Sequence, residues 1–284
     1  MSRTLCSLVG TGVLVAAFQL SAQAPDPPKV LRIIREDVKE GKASPHERAE
    51  AKIAQMFAKN KFPAYYIGMT TVTGPMQAWF LEPHDSFASI ADAIAAQDKL
   101  AEFETLDAVD AESRTGTRAY TAVYRPDMSY HPAKLMEGMP KARFFNIVTL
   151  RVRFAHDEEF ADLAKHAVEA LEKSSSDQPV ATYQVVSGMP VGTYLLMEPS
   201  ATLKTFDDAP ARDRAWIEAM GESGAKAFFK MAGELIVNEE SVLFAINPKM
   251  SYVSKEFAAG DPEFWTPKPA VTKSKPAEKT AAAK

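Results

Sequence analysis

Residues 126–130 read Pro-Asp-Met-Ser-Tyr, and residues 248–252 read Pro-Lys-Met-Ser-Tyr. Both segments follow a run of β-branched and aromatic residues, which predicts that each lies at the end of a strand. Two further matches precede them in the same order: Thr73-Gly74 with Ser187-Gly188, and Glu82-Pro83 with Glu198-Pro199. Because ordered self-similarity is the signature of a repeated unit, the sequence predicts an internal duplication.

The first copy is predicted to have the element order βαββαβ. Val30 to Val38 is β-rich, and Ser44-Pro45-His46-Glu47 after it fits a capping box at the start of a helix. Gly74-Pro75 lies between two β-rich runs and predicts a hairpin turn. Helical stretches and a strand at 118–124 follow. The second copy repeats this order between residues 144 and 246.

A βαββαβ unit is the ferredoxin-like arrangement, in which helices cover one face of an antiparallel sheet. The other face of that sheet still needs cover, and a second sheet can provide it. We therefore expect an α+β protein with two tandem ferredoxin-like units packed sheet to sheet as a pseudo-dimeric α/β barrel. The expected boundaries are 25–142 for the first unit and its linker, and 143–254 for the second.

The N-terminus has the pattern of a secretory signal peptide over residues 1–24. Arg3 precedes a short apolar stretch that ends at Leu20, and Ser21 to Ala24 offers a cleavage site. Pro25 fits poorly after a cleavage site, which leaves the position of the cut open. The stretch is too short and too interrupted to favour a membrane anchor. We expect an exported protein, periplasmic or secreted, with no stable membrane insertion after removal of the signal.

The C-terminal residues 255–284 are predicted to form a disordered tail rich in Lys, Pro and Ala. Its lysines contrast with the acidic remainder of a chain whose net charge is −4. Two interpretations stay open: a solubilising tail, or an arm that contacts an anionic polymer of the cell envelope. The overall negative charge argues against nucleic acid as a partner.

The hairpin Thr73-Gly74-Pro75-Met76-Gln77-Ala78-Trp79-Phe80-Leu81-Glu82-Pro83, followed by a Ser-Phe helix start, resembles the dimeric α/β-barrel superfamily. NIPSNAP-like and antibiotic-biosynthesis-monooxygenase-like proteins belong to it, and here the unit would be an exported tandem duplication. The resemblance covers roughly residues 30–252 and implies a pocket between sheet and helices. The superfamily includes cofactor-independent monooxygenases and isomerases, so the resemblance implies an enzyme of one of these kinds as an alternative function.

The residues themselves favour few kinds of chemistry. Cys6, the single cysteine, lies in the signal segment, so the mature chain has no thiol. The five histidines form no i, i+4 pair, and phosphate-binding glycine motifs are absent from the mature sequence. We therefore expect no metal, haem or nucleotide cofactor. Glu82 and Glu198 could share acid and base roles, but each precedes a proline, which favours a structural role in a turn.

Aromatic side chains with a polar atom suit a small organic ligand, because they combine apolar area with one hydrogen bond. The sequence therefore predicts a small-molecule-binding or interaction protein. The alternative is an enzyme, monooxygenase-like or isomerase-like, that needs no cofactor. The candidate ligand-binding residues are Tyr65, Trp79, His131, Tyr183 and Tyr194.

Overall fold

The computed structural model describes residues 26–266. The predicted signal peptide and the lysine-rich segment 267–284 lie outside this range. In the first half, the elements are β1 (Val30–Val38), α1 (Ala43–Asn60), β2 (Ile67–Thr71), β3 (Gln77–His84), α2 (Phe87–Gln97), α3 (Ala101–Ala111) and β4 (Arg114–Tyr124). A short helix, α4 (Pro132–Gly138), connects them to the second half.

In the second half, the elements are β5 (Phe144–Val152), α5 (Asp157–Lys173), β6 (Ala181–Ser187), β7 (Thr193–Ser200), α6 (Lys204–Asp207), α7 (Ala209–Leu235) and β8 (Ile236–Ile246). Two short helices, α8 (Lys255–Ala258) and α9 (Pro262–Trp265), follow. Among residues 26–266, none of the helices combines the length and the apolar character that crossing a bilayer requires. The predicted α+β class is confirmed.

All eight strands form one closed antiparallel barrel in the order β1-β3-β2-β8-β5-β7-β6-β4. The pairs β2–β8 and β4–β6 join the two halves, with Thr70 opposite Ala245 and Val123 opposite Gln184. The inner faces of the two half-sheets pack against each other in one core, as expected for an α/β barrel. In addition, the edges of the half-sheets pair along both seams, where hydrogen bonding satisfies backbone groups that separate sheets would leave free.

The repeated Pro-x-Met-Ser-Tyr segments lie at these two seams. Tyr130 forms an isolated β-bridge with Val180, and Tyr252 forms one with Tyr66. The Ser129 hydroxyl accepts a hydrogen bond from the Thr182 amide at 3.0 Å. In the same way, the Ser251 hydroxyl accepts one from the Gly68 amide at 2.9 Å. Each segment therefore attaches the end of one half to the other half.

The barrel interior is the main core, and helices on the outside cover two further cores. Alternate residues of β1 show the division: Leu31 and Ile33 point into the barrel, whereas Ile34 packs in the core beneath the helices. The interior is filled by large side chains such as Trp79 and Phe244, whose rings lie 4.9 Å apart.

Two local expectations differ from the structure. Helix α1 begins at Ala43, so Ser44 is not its N-cap, and Glu47 instead accepts hydrogen bonds from the side chains of Asn247 and Lys249. The boundary at 254 is too early, because Trp265 is buried and its indole N–H donates to Pro140 O at 2.7 Å. The prediction of disorder was based on the Lys, Pro and Ala content of the segment, which does not show that one residue, Trp265, packs into the core.

Candidate functional site

The mouth of the barrel contains an apolar cavity of about 240 Å³, which we call the mouth cavity. Inward-facing strand residues form its wall, and residues of α4 and α8 cover it. Its lining includes Leu31, Tyr65, Leu81, Leu135, Met136, Met139, Phe145, Ala181, Tyr183, Met197 and Phe257. The position follows from the alternation of strand side chains, since the same residues that fill the barrel interior leave its end open.

Two of the five candidate ligand-binding residues, Tyr65 and Tyr183, line the mouth cavity. Tyr183 is buried, and its hydroxyl donates to Pro28 O at 3.0 Å. Burial raises the pKa of Tyr183, so its hydroxyl stays protonated. Tyr65 is 42% exposed and its ring lies 4.9 Å from that of Tyr252. One tyrosine is thus fixed in the wall and the other lies at the rim.

The structure does not bring the other three candidates to this cavity. Trp79 is 4% exposed in the barrel interior, where its indole N–H donates to Gln77 Oε1 at 3.1 Å. Tyr194 points outward beneath α5 and donates to Asp157 Oδ1 at 2.7 Å. His131 lies at the surface and stacks on Tyr130. Trp79 and Tyr194 lie on opposite sides of the barrel wall, which their aromatic character alone could not indicate.

Each half also has a cavity between the outer face of the barrel and its helices. The second-half cavity measures about 290 Å³ and is lined largely by apolar residues, including Leu150, Phe160 and Ala164. The first-half cavity measures about 340 Å³ and is lined by several ionisable side chains: Arg32, Glu36, Glu50, Glu82, Asp107 and Arg114. The two cavities occupy corresponding places in the halves but differ in chemistry.

Behind the first-half cavity, His46 connects two buried carboxyl groups. His46 Nδ1 lies 2.7 Å from Asp110 Oδ1, and His46 Nε2 lies 3.5 Å from Glu36 Oε2. The carboxylate can only accept, so Nδ1–H is the donor to Asp110. Arg114 forms a short hydrogen bond to Glu36 Oε1 and contacts Asp110 Oδ2 at 3.2 Å. The four residues come from β1, α1, α3 and β4.

Burial changes the acid–base behaviour of this group. It raises the pKa of Glu50 well above the ordinary value, and the charges of Glu36 and Asp110 raise it further. Burial also raises the pKa of Glu36, although Arg114 and His46 oppose that effect. In addition, Glu36 Oε2, His46 Nε2 and the Tyr66 hydroxyl are buried without a hydrogen-bond partner in the described part of the chain. One potential metal-ligand atom from each of four residues, a ring nitrogen or a carboxylate oxygen, lies within 4.8 Å of the others; the residues are Glu36, His46, Glu50 and Asp110.

Glu82 and Glu198 do not stabilise turns, as their position before proline suggested. Both lie within strands and line the first-half and second-half cavities respectively. Glu82 Oε1 lies 2.6 Å from His84 Nε2, while Glu198 accepts a hydrogen bond from Asn146 Nδ2 at 3.0 Å. Burial raises the pKa of Glu198. Their recurrence therefore marks equivalent positions on the outer face of the barrel.

Sequence reasoning missed the group around His46, although one signal was present. His46 and Glu50 are four positions apart and therefore share one face of α1, the face that also buries Ala49 and Ile53. A polar pair on a buried face is unusual and indicates that buried partners exist. The sequence-based expectation for metal ligands considered two histidines at this spacing, and it therefore missed a pair made of one histidine and one glutamate. The partners on β1 and α3 could not be found from spacing.

No protein-family model matches the chain, and no curated protein matches it by sequence. Solved structures do resemble it. A candidate monooxygenase from Fusobacterium nucleatum subsp. nucleatum ATCC 25586 is 11% identical, with a TM-score of 0.50 over 78% of this chain and 93% of that one. A candidate monooxygenase from Lactobacillus acidophilus NCFM is 10% identical, with a TM-score of 0.46 over 76% and 93%. An anthrone oxidase-like protein is also 10% identical, with a TM-score of 0.49 over 80% and 95%.

At such low identity a structural likeness indicates the fold and not the reaction, since one fold hosts many functions. The likeness does not single out NIPSNAP-like proteins within the superfamily. Together with the closed eight-stranded antiparallel sheet, it shows that the chain shares an α/β-barrel fold with the Fusobacterium nucleatum protein.

Proposed function

We propose that this protein binds a small apolar organic molecule in the mouth cavity. The observation that carries the proposal is the cavity itself: about 240 Å³ of space with a lining that is almost entirely apolar. The cavities of the two halves are somewhat larger but have ionisable side chains in their linings, so the mouth cavity differs from them in its chemistry rather than in its size. An apolar space of this kind favours an apolar ligand over water.

The size and lining of the cavity limit the ligand. An apolar cavity of about 150 Å³ accommodates benzene, so the mouth cavity has room for a somewhat larger molecule, such as one with two fused rings. Among residues 26–266, the lining includes no charged side chain, which disfavours carboxylate or phosphate groups on the buried part of the ligand. Tyr65 at the rim can form a hydrogen bond to a polar end of the ligand that faces solvent.

Residues of the cover allow the cavity to adapt. Met136 of α4 and Met139 directly after it lie against the cavity, and Phe257 of α8 closes another side. Methionine is unbranched and fills irregular spaces, so such a cover tolerates ligands of related shape. We expect a family of small aromatic or amphipathic molecules to bind, with affinity limited by the small contact area.

The test uses the full chain and a panel of naphthalene, indole and toluene, measured by calorimetry and thermal shift. Ala181→Leu places a larger side chain in the mouth cavity and is expected to abolish binding at one site per chain. Ala164→Leu adds the same volume to the second-half cavity and is the matched control that should still bind. Absence of binding to the wild-type chain, or equal loss in both variants, would contradict the proposal.

The second candidate is an enzyme that moves protons without a cofactor. The observation that favours it is Glu50, a carboxyl group with a raised pKa at the wall of the first-half cavity. A carboxyl group whose pKa is raised by burial keeps its proton to a higher pH than an ordinary glutamate, which suits a group that takes part in proton transfer. Incubation of small ketones with the protein in deuterium oxide tests this candidate. Exchange at the carbon next to the carbonyl should depend on Glu50 and disappear in Glu50→Gln, whereas Glu198→Gln should retain it.

Two broader expectations are also part of this proposal. We propose that the chain is a tandem duplication of a ferredoxin-like unit and that it is exported, on the basis of the repeated motifs and the N-terminal pattern. Fractionation of expressing bacteria with sequencing of the mature N-terminus tests export. An intact N-terminus on a cytoplasmic product would contradict it.

A further inference from the structure

We propose that the first half contains a binding site for one divalent transition-metal ion. The ligands are His46 Nε2, Glu36 Oε2 and the Glu50 carboxylate, and Asp110 orients the imidazole. This inference concerns a different place in the molecule from the mouth cavity and is independent of ligand binding there.

The geometry brings the ligand atoms together from separate elements. Glu36 lies on β1, whereas His46 and Glu50 lie one turn apart on α1. His46 Nε2 and Glu36 Oε2 are 3.5 Å apart. Two ligands that each lie about 2.1 Å from one ion are separated by about 3.4 Å at the tetrahedral angle. The observed separation is therefore suited to a shared ion.

The atoms that face one another have no other partner. Glu36 is 3% exposed and His46 is 1% exposed. Glu36 Oε2 and His46 Nε2 nevertheless make no hydrogen bond among residues 26–266. A buried polar atom without a partner destabilises the folded state, so native proteins rarely retain two side by side. An ion between them would satisfy both.

Asp110 prepares His46 for this role. Because Nδ1–H donates to Asp110 Oδ1 at 2.7 Å, the neutral imidazole has its lone pair on Nε2. That nitrogen is the one close to Glu36 Oε2. A carboxylate that fixes the tautomer of a metal-binding histidine is a common outer-sphere arrangement. Asp110 itself is fully buried and is held by Arg114 at 3.2 Å.

The second half shows that the fold does not require these polar residues. His46 and Glu50 are the fourth and eighth residues of α1, and Phe160 and Ala164 have those places in α5. Glu36 is the seventh residue of β1, and Leu150 is the seventh of β5.

The positions of Arg114 and Asp110 also have apolar counterparts in the second half. Arg114 begins β4, and Ile236 begins β8 at an equivalent shift in strand register. Asp110 lies four residues before β4, and Ala232 lies four residues before β8. Five ionisable positions are therefore apolar in the other half, where they form an ordinary core. Replacing buried ion pairs by apolar residues is often neutral or stabilising, so stability alone does not account for the group around His46.

Charge balance also favours a cation. Arg114 is the positive side chain that contacts this group, whereas three carboxyl groups lie against it, those of Glu36, Asp107 and Asp110. A divalent ion offsets most of this excess.

The ligand set selects the type of ion. One imidazole nitrogen with carboxylate oxygens suits Zn²⁺ or Mn²⁺, whereas Ca²⁺ and Mg²⁺ prefer oxygen ligands alone. Glu36 and Glu50 line the first-half cavity, while His46 lies behind them. An ion held by these three residues would therefore face the cavity, with coordination positions available to a small molecule.

The experiment uses the full chain, stripped of metal with a chelator. Calorimetric titration with ZnCl₂ or MnCl₂ is expected to show one ion per chain, while MgCl₂ and CaCl₂ bind much more weakly. In the NMR spectrum, Mn²⁺ should broaden the ring signals of His46 selectively, a measurement that needs no substitution.

Variants then assign the ligands. His46→Phe and Glu50→Ala copy the corresponding residues of the second half, so we expect them to fold and to bind the ion at least about tenfold more weakly. Asp110→Ala should weaken binding through His46, and Asp110→Asn, whose amide oxygen can still accept from Nδ1–H, should restore part of it. Glu198→Gln in the second-half cavity is the control with wild-type affinity.

The proposal is overturned if the wild-type chain binds neither Zn²⁺ nor Mn²⁺ at one ion per chain. It is also overturned if His46→Phe and Glu50→Ala bind as tightly as Glu198→Gln, or if Mn²⁺ leaves the His46 signals sharp. Failure of naphthalene to bind the mouth cavity would leave these measurements unaffected.

Discussion

The environment of a single carboxyl group, Glu50, shows how burial controls protonation in this fold. The side chain is 6% exposed on the buried face of α1, close to the carboxyl groups of Glu36 and Asp110. Loss of water disfavours its charged form, and the neighbouring negative charges disfavour it further. Arg114 opposes this, but the pKa remains well above its ordinary value of 4.5. Glu50 therefore links the stability of the fold to pH.

Replacement of the ionisable Glu50 by glutamine should change the pH dependence of the free energy of unfolding. Between pH 4.5 and the raised pKa, the folded chain holds a proton on Glu50 that the unfolded chain has released. The free energy of unfolding consequently falls as pH rises through that range, by about 1.4 kcal/mol for each pH unit. Glu50→Gln lacks this loss, so its advantage over wild type should grow above pH 4.5 and vanish below it.

Urea unfolding across this pH range, with a chelator present, measures the difference. Glu104→Gln replaces an exposed glutamate and should follow the wild-type curve at every pH. A constant difference between Glu50→Gln and wild type from about pH 4 to about pH 8 would contradict the raised pKa of a buried carboxyl group at this position.

Trp79 illustrates a second property of single residues, the cost of truncation in a packed core. Its ring contacts Phe244 at 4.9 Å and Tyr120 at 6.0 Å between centroids. Trp79→Ala should lower the free energy of unfolding by about 3–5 kcal/mol, since the cavity it leaves cannot collapse fully. Denaturant unfolding measures this. His166→Ala, at an exposed position on α5, should remain within about 0.5 kcal/mol of wild type.

At the scale of elements, the seams depend on short segments that follow the last strand of each half. Ser129 donates to Arg125 O at 2.8 Å and Ser251 donates to Asn247 O at 2.7 Å, while both accept from an amide of the opposite half. Tyr130 and Tyr252 continue these contacts, with hydroxyl groups that donate to Ser176 O and Phe62 O. Corresponding hydrogen bonds therefore fasten both seams of the barrel.

Removal of either serine hydroxyl should weaken one seam. Ser129→Ala and Ser251→Ala each leave a backbone amide without its acceptor, which costs about 1–3 kcal/mol. The buried hydroxyl of Ser200 has no partner in the described chain, so Ser200→Ala should be neutral or stabilising. Hydrogen exchange at the amides of Gly68 and Thr182 locates the effect. Equal stability losses in all three variants would show that the hydroxyl contacts at the seams contribute nothing specific.

For the whole molecule, closure of the barrel removes the edges that each half would expose. Strands β2 and β4 are the outer strands of the first half, and they pair with β8 and β6 of the second. An unpaired edge is a template for association with another chain. The halves are therefore expected to depend on one another more than ordinary neighbouring domains do.

Production of residues 26–142 and 143–284 as separate chains tests this dependence. Mixed together, they should form a 1:1 complex, because both seams supply hydrogen-bonded partners. Alone, each should form a dimer or aggregate, since a sheet with two free edges and one uncovered face is unstable as a monomer. Size-exclusion chromatography with light scattering measures the masses. A stable monomer of either half would contradict the prediction.

The order of strands and helices, the hairpin turns and the α+β class could be predicted from the sequence, because the spacing of apolar residues reflects local backbone geometry. The N-cap at Ser86, whose side chain accepts from the Ser89 amide, is another local feature of this kind. The repeated Pro-x-Met-Ser-Tyr segments also marked the ends of the halves. All of these signals come from residues that are close along the chain.

Tertiary structure alone decided the rest. Closure at the seams, the position of Trp79 inside the barrel and that of Tyr183 at its mouth depend on strand pairing between distant segments. The group around His46 brings together Glu36 of β1 and Asp110 of α3, which lies 64 residues beyond His46. Local periodicity carries no information about such contacts, and the burial that raises the pKa of Glu50 exists only once helix and barrel have packed.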